Sequence, residues 1–164
     1  MKRIATFDNY INEAKKFLEE RQSAGLAIVH DGKVLLGHST GRKRLASYGI
    51  SKGGIDEGES ILDAAIRETR EEFGIKVPKS LISKDAFTFT VTSRKYKYNK
   101  IVHYYIVEVK DLAEIGLKGL EVPKGQLQLK EVDRAVFMNR DEALKHVMIS
   151  QYSLLQNLTN KGLI

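Results

Sequence analysis

Two hydrophobic rhythms alternate along this chain, and their order predicts its architecture. Leu26-Ala27-Ile28-Val29-His30 and Val34-Leu35-Leu36-Gly37-His38 are apolar runs joined by Asp31-Gly32, a strong hairpin signal. Tyr48-Gly49-Ile50 reads as a short strand, Phe87–Thr92 alternates with a period of two, and Val132–Met138 reads as a final strand. Ile101–Val109 is the strongest strand pattern, and its apolar density predicts a central, largely buried position. Helical spacing appears in Asp8–Arg21, through Ile11, Ala14, Phe17 and Leu18. It recurs after Asn139, which has Glu142 at the capping-box distance, and in Ser150–Leu158. The stretch Asp111–Lys130 is loop-rich, and a loop of that length in a compact domain is often functional. The order predicts an α/β (α+β) chain: a mixed β-sheet between helices, an α/β/α sandwich. The boundaries expected are one domain over residues 1–164, with a helical extension at 1–22 and a C-terminal helix at 149–164.

The remaining helix carries the chemistry. Ser60 is placed to cap it, Asp63 follows at the capping-box distance, and Gly74 is the natural stop. Leu62, Ala65, Ile66, Thr69 and Phe73 share the face expected to be buried. Glu68 reaches Glu71 at i+3 and Glu72 at i+4, so three carboxylates neighbour one another beside that stripe. Two carboxylates about 4 Å apart repel by roughly 4 kcal/mol at an effective dielectric of 20. Arg67 faces Glu71 and offsets part of this, but one cation does not balance three anions. A divalent metal would, and oxygen-only ligands favour Mg²⁺ or Mn²⁺ over zinc. Such a metal does its simplest work on a phosphate. The competing reading is a solvated acidic helix face.

Fixed offsets around those glutamates decide between the two. Gly53, Glu59, Arg67, Glu68, Thr69, Glu71, Glu72, Gly74 and Ile75 fit the pattern G-x5-E-x7-R-E-U-x-E-E-x-G-U, where U is a bulky apolar residue, and so resemble the Nudix box. Only Thr69 departs, at a U position. The resemblance covers roughly residues 23–148 and implies a Nudix-type α/β/α sandwich. It implies Mg²⁺-dependent hydrolysis of a nucleoside diphosphate linked to another group. On that analogy Glu68, Glu71 and Glu72 hold metal, one of them can also orient the attacking water, and Arg67 and Glu59 support loop and helix. The lead-in reads Tyr48-Gly49-Ile50-Ser51-Lys52-Gly53 where the family has W-x-x-P-K-G. A backbone carbonyl at Lys52 would be a further ligand, and Ser51 in place of proline bears on the rigidity of that turn. Glu121 and Glu131 bound the long loop. Relatives use a glutamate ahead of the last core strand as an extra ligand or base, and Glu131 fits that place better; the alternative is an exposed loop residue.

Composition narrows the partners. The chain has 164 residues, no cysteine and a formal net charge of +6, which fits a globular domain without disulfides in a reducing compartment and a polyanionic substrate. No secretory signal or membrane span is read in it, so the expected location is the cytoplasm. The oligomeric state expected is monomer or homodimer. Arg94, Lys95, Lys97 and Lys100 interleave with Tyr96 and Tyr98 between two strands. If that tip overhangs the metal site, the lysines bind distal phosphates and a tyrosine stacks on a base; otherwise they guard a hairpin edge. Arg42, Lys43 and Arg44 are a second basic loop, able to take phosphate across the cleft, and Lys52 lies at the box itself. The run Lys100–Asp111 and the pair Lys52-Gly53 look like the dinucleoside polyphosphate hydrolase branch of the Nudix family. A dinucleoside polyphosphate therefore leads among expected substrates. ADP-ribose and other nucleotide sugars, nucleoside triphosphates and capped RNA ends stay open, RNA not being favoured. A non-catalytic nucleotide- or RNA-binding module is the rival class. His30, His38, His103 and His146 lack metal-ligand spacing, and His103 reads as a satisfied core histidine.

Overall fold

The computed structural model describes residues 19–43, 47–93 and 98–164. Strands β1 (Glu19–His30), β2 (Lys33–Ser39), β3 (Tyr48–Gly49), β4 (Lys52–Gly54), β5 (Phe87–Ser93), β6 (Tyr98–Glu108) and β7 (Val132–Asn139) form one mixed, seven-stranded sheet. The helices among the described residues are α1 (Ile61–Phe73), α2 (Arg140–His146) and α3 (Tyr152–Asn160). No helix among the described residues is long and apolar enough to cross a membrane.

β1 organises the sheet. It pairs in parallel with β6 from Glu19↔Tyr98 to Val29↔Glu108. The far side of β6 pairs antiparallel with β5, so β6 is central as its pattern predicts. Its burial is uneven, however: Val102, Tyr104 and Ile106 face the core under α2 and α3, Val107 faces the core under α1, and the start of the strand is only half-buried. The hairpin to β2 closes at Val29↔Val34, with Asp31 and Gly32 both at positive φ (46° and 69°), the geometry of a type I′ turn. Beyond that turn β1 and β2 diverge. The segment Tyr48–Gly54 enters the fork, β3 pairing with β2 and β4 with β1. β7 then pairs along the other side of β2.

Each face of the sheet has its own core. On one, Leu26, Ile28, Leu35, Phe137, Ala64, Ala65 and Phe73 pack α1 against the strands, with Ile115, Leu117, Val122 and Leu127 of the long loop added. On the other, Val34, Leu36, Tyr104, Leu154, Leu155 and Leu158 pack α2 and α3. The expected α/β/α sandwich is what the chain forms. α2 begins with the full capping box of Asn139 and Glu142, and α3 starts two residues later than Ser150 because Ile149–Gln151 is a 3₁₀ turn.

One boundary needs correction. The helix read over Asp8–Arg21 does not extend to Arg21, because Glu19–Arg21 pair with Tyr98–Lys100 as strand. The rest of that segment, and the basic tip Arg94–Lys97, lie outside the described residues. Of the helical extension read over 1–22, residues 19–22 belong to β1.

Candidate active site

The acidic helix is set by local chemistry. The Ser60 hydroxyl accepts the Asp63 N–H (3.1 Å) and donates to the Asp63 carboxylate (2.7 Å), which also pairs with Lys79 (2.9 Å). At the other end Gly74 adopts the left-handed conformation (φ 67°) and donates its N–H to Arg70. The buried face runs through Ala64, Ala65, Thr69 and Phe73, with Leu62 and Ile66 only half-buried. It is turned toward Ala64, and so toward Glu68 and Glu72, compared with the expected stripe.

Arg67 is the hub on the exposed side. Its Nε and one terminal nitrogen donate to both oxygens of Glu59 (2.9 Å each). The other terminal nitrogen donates to Glu68 Oε1 (2.7 Å) and Glu71 Oε2 (3.1 Å). A further bond reaches the Gly54 carbonyl (2.9 Å), tying helix to loop. Glu59 also accepts the Asp56 N–H (3.1 Å). The Arg67 bond, then that N–H, hold the Glu59 carboxyl below its ordinary value, and Glu59 and Glu68 push the Arg67 guanidinium up. One oxygen each of Glu68 and Glu71 accepts no hydrogen bond among the described residues. Glu68 lies against Gly53, where a Cβ would overlap its carboxylate. Glycine at that position is thus a steric requirement of the site.

Glu72 has the opposite surroundings. It lines a cavity of about 130 Å³ with Lys52, Glu131, Ile50, Gly49, Gly37, Ser39 and Met148. Burial pushes its carboxyl up to about 7; nearby Lys52 opposes this, while the charges of Glu68 and Glu131 add to it. The buried Ser51 hydroxyl, which completes no hydrogen bond of good geometry, opposes it weakly. Glu131 thus lines the same cavity as Glu72. Glu121 instead pairs with Arg134 (3.1 Å) on the strand surface.

Lys52 joins this cavity to another of about 150 Å³, lined by Phe89, Val91, Tyr98, Lys100, Val102, Tyr104, Ser150 and Gln151. Lys100 is half-buried there; burial, then Lys52 and Arg21, lower its pKa while Glu68 raises it. The base of the β5–β6 hairpin thus borders the acidic site. The Arg21 guanidinium covers the Tyr98 ring at 4.9 Å, so one ring face is taken within the chain. Lys97 and Arg44 lie outside the described residues. Arg42 lies apart from the carboxylates: it reaches Met148 Sδ (3.9 Å) and lines a different cavity.

Two residues with no obvious sequence signal hold the lead-in. Gln151 is buried; its Oε1 accepts the Ile50 N–H (2.8 Å) and its Nε2 donates to the Tyr104 hydroxyl (2.9 Å). The Met148 N–H donates to the Tyr48 carbonyl (2.9 Å). Segment Tyr48–Gly54 is therefore clamped from α3 and from both prongs of the fork, with serine in place of proline at Ser51. Tyr104 carried a findable signal: it shares the parity of Lys100 and Val102 along β6, and a buried phenol needs a partner. Gln151 carried none. His103 is hydrogen-bonded by Thr88 (2.9 Å) and Gln22 (3.2 Å), satisfied as expected but half-exposed.

The donor set fits a hard cation. Among the described residues no three carboxylates or imidazoles converge on one point, because Glu68 and Glu71 turn to Arg67 and Glu72 points into its own cavity. Yet the free oxygens of Glu68 and Glu71, the half-buried Glu72 and nearby Glu131 are all oxygen donors, the chemistry a hard cation takes. The Gly53 cradle holds Glu68 against the loop backbone.

The sequence comparisons agree with this geometry. The chain belongs to the NUDIX domain family, whose model matches residues 20–158. It is 30% identical over 107 residues to an RNA pyrophosphohydrolase of Sulfurovum sp. (strain NBC37-1), an alignment covering 62% of this chain and 64% of that protein. It is 42% identical over 60 residues to the asymmetrical bis(5′-nucleosyl)-tetraphosphatase of Rattus norvegicus, covering 37% of this chain and 40% of that one. The chain thus spans less than two thirds of either relative. In fold it resembles a C. elegans Ap4A hydrolase binary complex, with a TM-score of 0.62 at 21% identity, over 86% of this chain and 96% of that one.

Proposed function

We propose that this chain hydrolyses a pyrophosphate bond in a nucleoside diphosphate joined to another group, that Mg²⁺ or Mn²⁺ is required, and that a dinucleoside polyphosphate is the leading substrate. The observation that carries this reading is the half-buried Glu72, set near Glu68 and Glu131 and one lysine away from a basic, aromatic cavity. Glu68, Glu71 and Glu72, with Glu131 and the Lys52 carbonyl, are the groups that would hold the cation. When bound it supplies a water of lowered pKa and neutralises charge on the phosphoryl oxygens.

The chain's own residues do the rest. Arg67 and Glu59 fix the loop against the helix, so that the carboxylates keep their positions. Glu72 and Glu131 share one cavity, and a carboxylate there would take the proton from the attacking water. Lys52 and Lys100 meet the negative charge of the phosphate chain, and the cavity beside Tyr98 accepts an aromatic base. The Sulfurovum relative favours a second reading in which the substrate is RNA.

Steady-state rates on a dinucleoside tetraphosphate, ADP-ribose, a nucleoside triphosphate and a 5′-triphosphorylated oligonucleotide, each with Mg²⁺ and with Mn²⁺, separate these substrates, with products read by mass. Glu71→Gln and Glu72→Gln are expected to lower turnover by orders of magnitude with little loss of fold. Undiminished rates in both variants reject the hydrolase mechanism. Heat of ligand binding that needs metal but yields no product would instead mark a binding module.

A further inference from the structure

The second basic loop builds something of its own. Residues alternate between faces along β2: Leu35 belongs to the core under α1 and Leu36 to the core under α2 and α3. His38 shares the parity of Leu36, and its cross-strand partner Tyr48 packs against that same core. Both line a cavity of about 360 Å³ with Arg42, Lys43, Ser47, Asp133, Arg134 and His146. That volume is in the range of small-molecule sites, about 300–1,000 Å³, and the cavity lies on the opposite sheet face from α1.

Its electrostatics are uneven. Arg134 is engaged by Glu121 (3.1 Å) and Asp133 by His38 (2.6 Å). Arg42 and Lys43 have no carboxylate partner among the described residues, and the one side-chain hydrogen bond Arg42 makes there goes to the weak acceptor Met148 Sδ (3.9 Å). A guanidinium brings five donors, so most of its capacity is unspent. The wall beside these cations is aromatic: the Tyr48 ring lies 5.0 Å from His38 and 5.8 Å from His146. Two free cations beside three rings match a ligand that is both phosphorylated and aromatic.

We propose that this cavity is a second binding site, for the phosphate and base of a nucleotide, with Arg42 and Lys43 on the phosphate and the Tyr48–His38–His146 wall against the base. The nucleotide is either free or the far end of a long substrate, since Met148 lines the carboxylate cavity and touches Arg42. Binding here requires no hydrolysis.

The chain has four histidines, so imidazole NMR resolves the site directly. AMP titrated into metal-free protein in EDTA is expected to shift His38 and His146 saturably and to leave His30 and His103 unmoved. Arg42→Glu/Lys43→Glu, and the milder Arg42→Gln/Lys43→Gln, are expected to weaken that binding about tenfold or more. Both side chains are exposed, and a melting curve confirms that each variant folds. No shift of His38 and His146 at millimolar AMP, or shifts that neither variant weakens, overturn the proposal. A raised KM for diadenosine tetraphosphate with an unchanged KM for ADP-ribose assigns the site to the far end of the substrate. An unchanged KM for both assigns it to a free nucleotide. The NMR arm needs no turnover, so it can fail while the hydrolase reading stands, and the reverse.

Discussion

Glu71 and Glu72 are consecutive on one helix, yet they belong to two different regions. Glu71 sits with Glu59 and Glu68 in the web around Arg67, where the three carboxylates share one guanidinium and water is near. Glu72 enters a cavity that it shares with Glu131 and Lys52; burial, with the charges of nearby Glu68 and Glu131, raises its pKa, and Lys52 only partly offsets this. The first region is built to hold loop and helix together. The second keeps a carboxylate in an unfavourable place, and groups kept so are usually kept for chemistry. Glu59 is thus set apart from Glu72 by its surroundings, while Glu68 and Glu71 give one oxygen each to Arg67 and keep the other free for a cation.

The largest effect that sharpens this contrast is on turnover. Glu72→Gln is expected to lower kcat about a thousandfold, a loss typical of removing a preorganised charged group at the reacting centre. Glu59→Gln, which touches only the web, should cost far less activity and show mainly as a lower melting temperature. Equal kcat losses in the two would erase the distinction.

Stability should move the other way at Glu72. The carboxyl titrates near 4.5 when unfolded and is pushed up to about 7 when folded, so the folded state holds the extra proton between those values. Metal-free protein therefore loses stability as pH rises through that window, and the loss is complete above it. Glu72→Gln is expected to melt higher than the parent at pH 8, by up to about 3 kcal/mol, with no gain below about pH 4.5. For Glu59 the sign is reversed: its lowered pKa gives stability that is present above 4.5 and lost as pH falls through the folded value. Chemical denaturation of parent and both variants across pH checks both signs.

Smaller effects test the supports. Arg67→Leu leaves Glu59 and Glu68 unpaired, at a cost of about 2 kcal/mol by denaturation. Gln151→Ala leaves the Ile50 N–H and the Tyr104 hydroxyl without their buried partner, at about 1 kcal/mol or somewhat more. That variant should also weaken Mn²⁺ binding if the clamp positions the Lys52 carbonyl.

What could be read from residues alone was the local part. The caps of α1, the Asp31-Gly32 hairpin and the Asn139 box depend on neighbours within a few residues, so spacing reveals them. The fork does not, because it needs β1 to pair with β6 across more than seventy residues. That pairing is also why Glu19–Arg21 are strand despite helical spacing. The burial of Glu72 depends on distant chain: the Gln128 N–H donates to the Glu72 carbonyl (3.0 Å), and Glu131 follows a few residues on. Ser51 looked like a weak point in the turn because its brace, Gln151, lies 101 residues from the Ile50 N–H it accepts. Arg42, read as reaching across the cleft, lines a cavity with His38 and Tyr48 and reaches Met148, which lines the Glu72 cavity.

The most direct measurement is Mn²⁺ binding at neutral pH, followed by electron paramagnetic resonance on parent, Glu72→Gln and Glu59→Gln proteins, with and without a non-hydrolysable dinucleoside polyphosphate. Binding by the parent that is strengthened by nucleotide, abolished in Glu72→Gln and nearly retained in Glu59→Gln is the expected result. Mn²⁺ that stays free with the parent, or binds Glu72→Gln as well as the parent, would contradict a cation held by the Glu72 carboxylate.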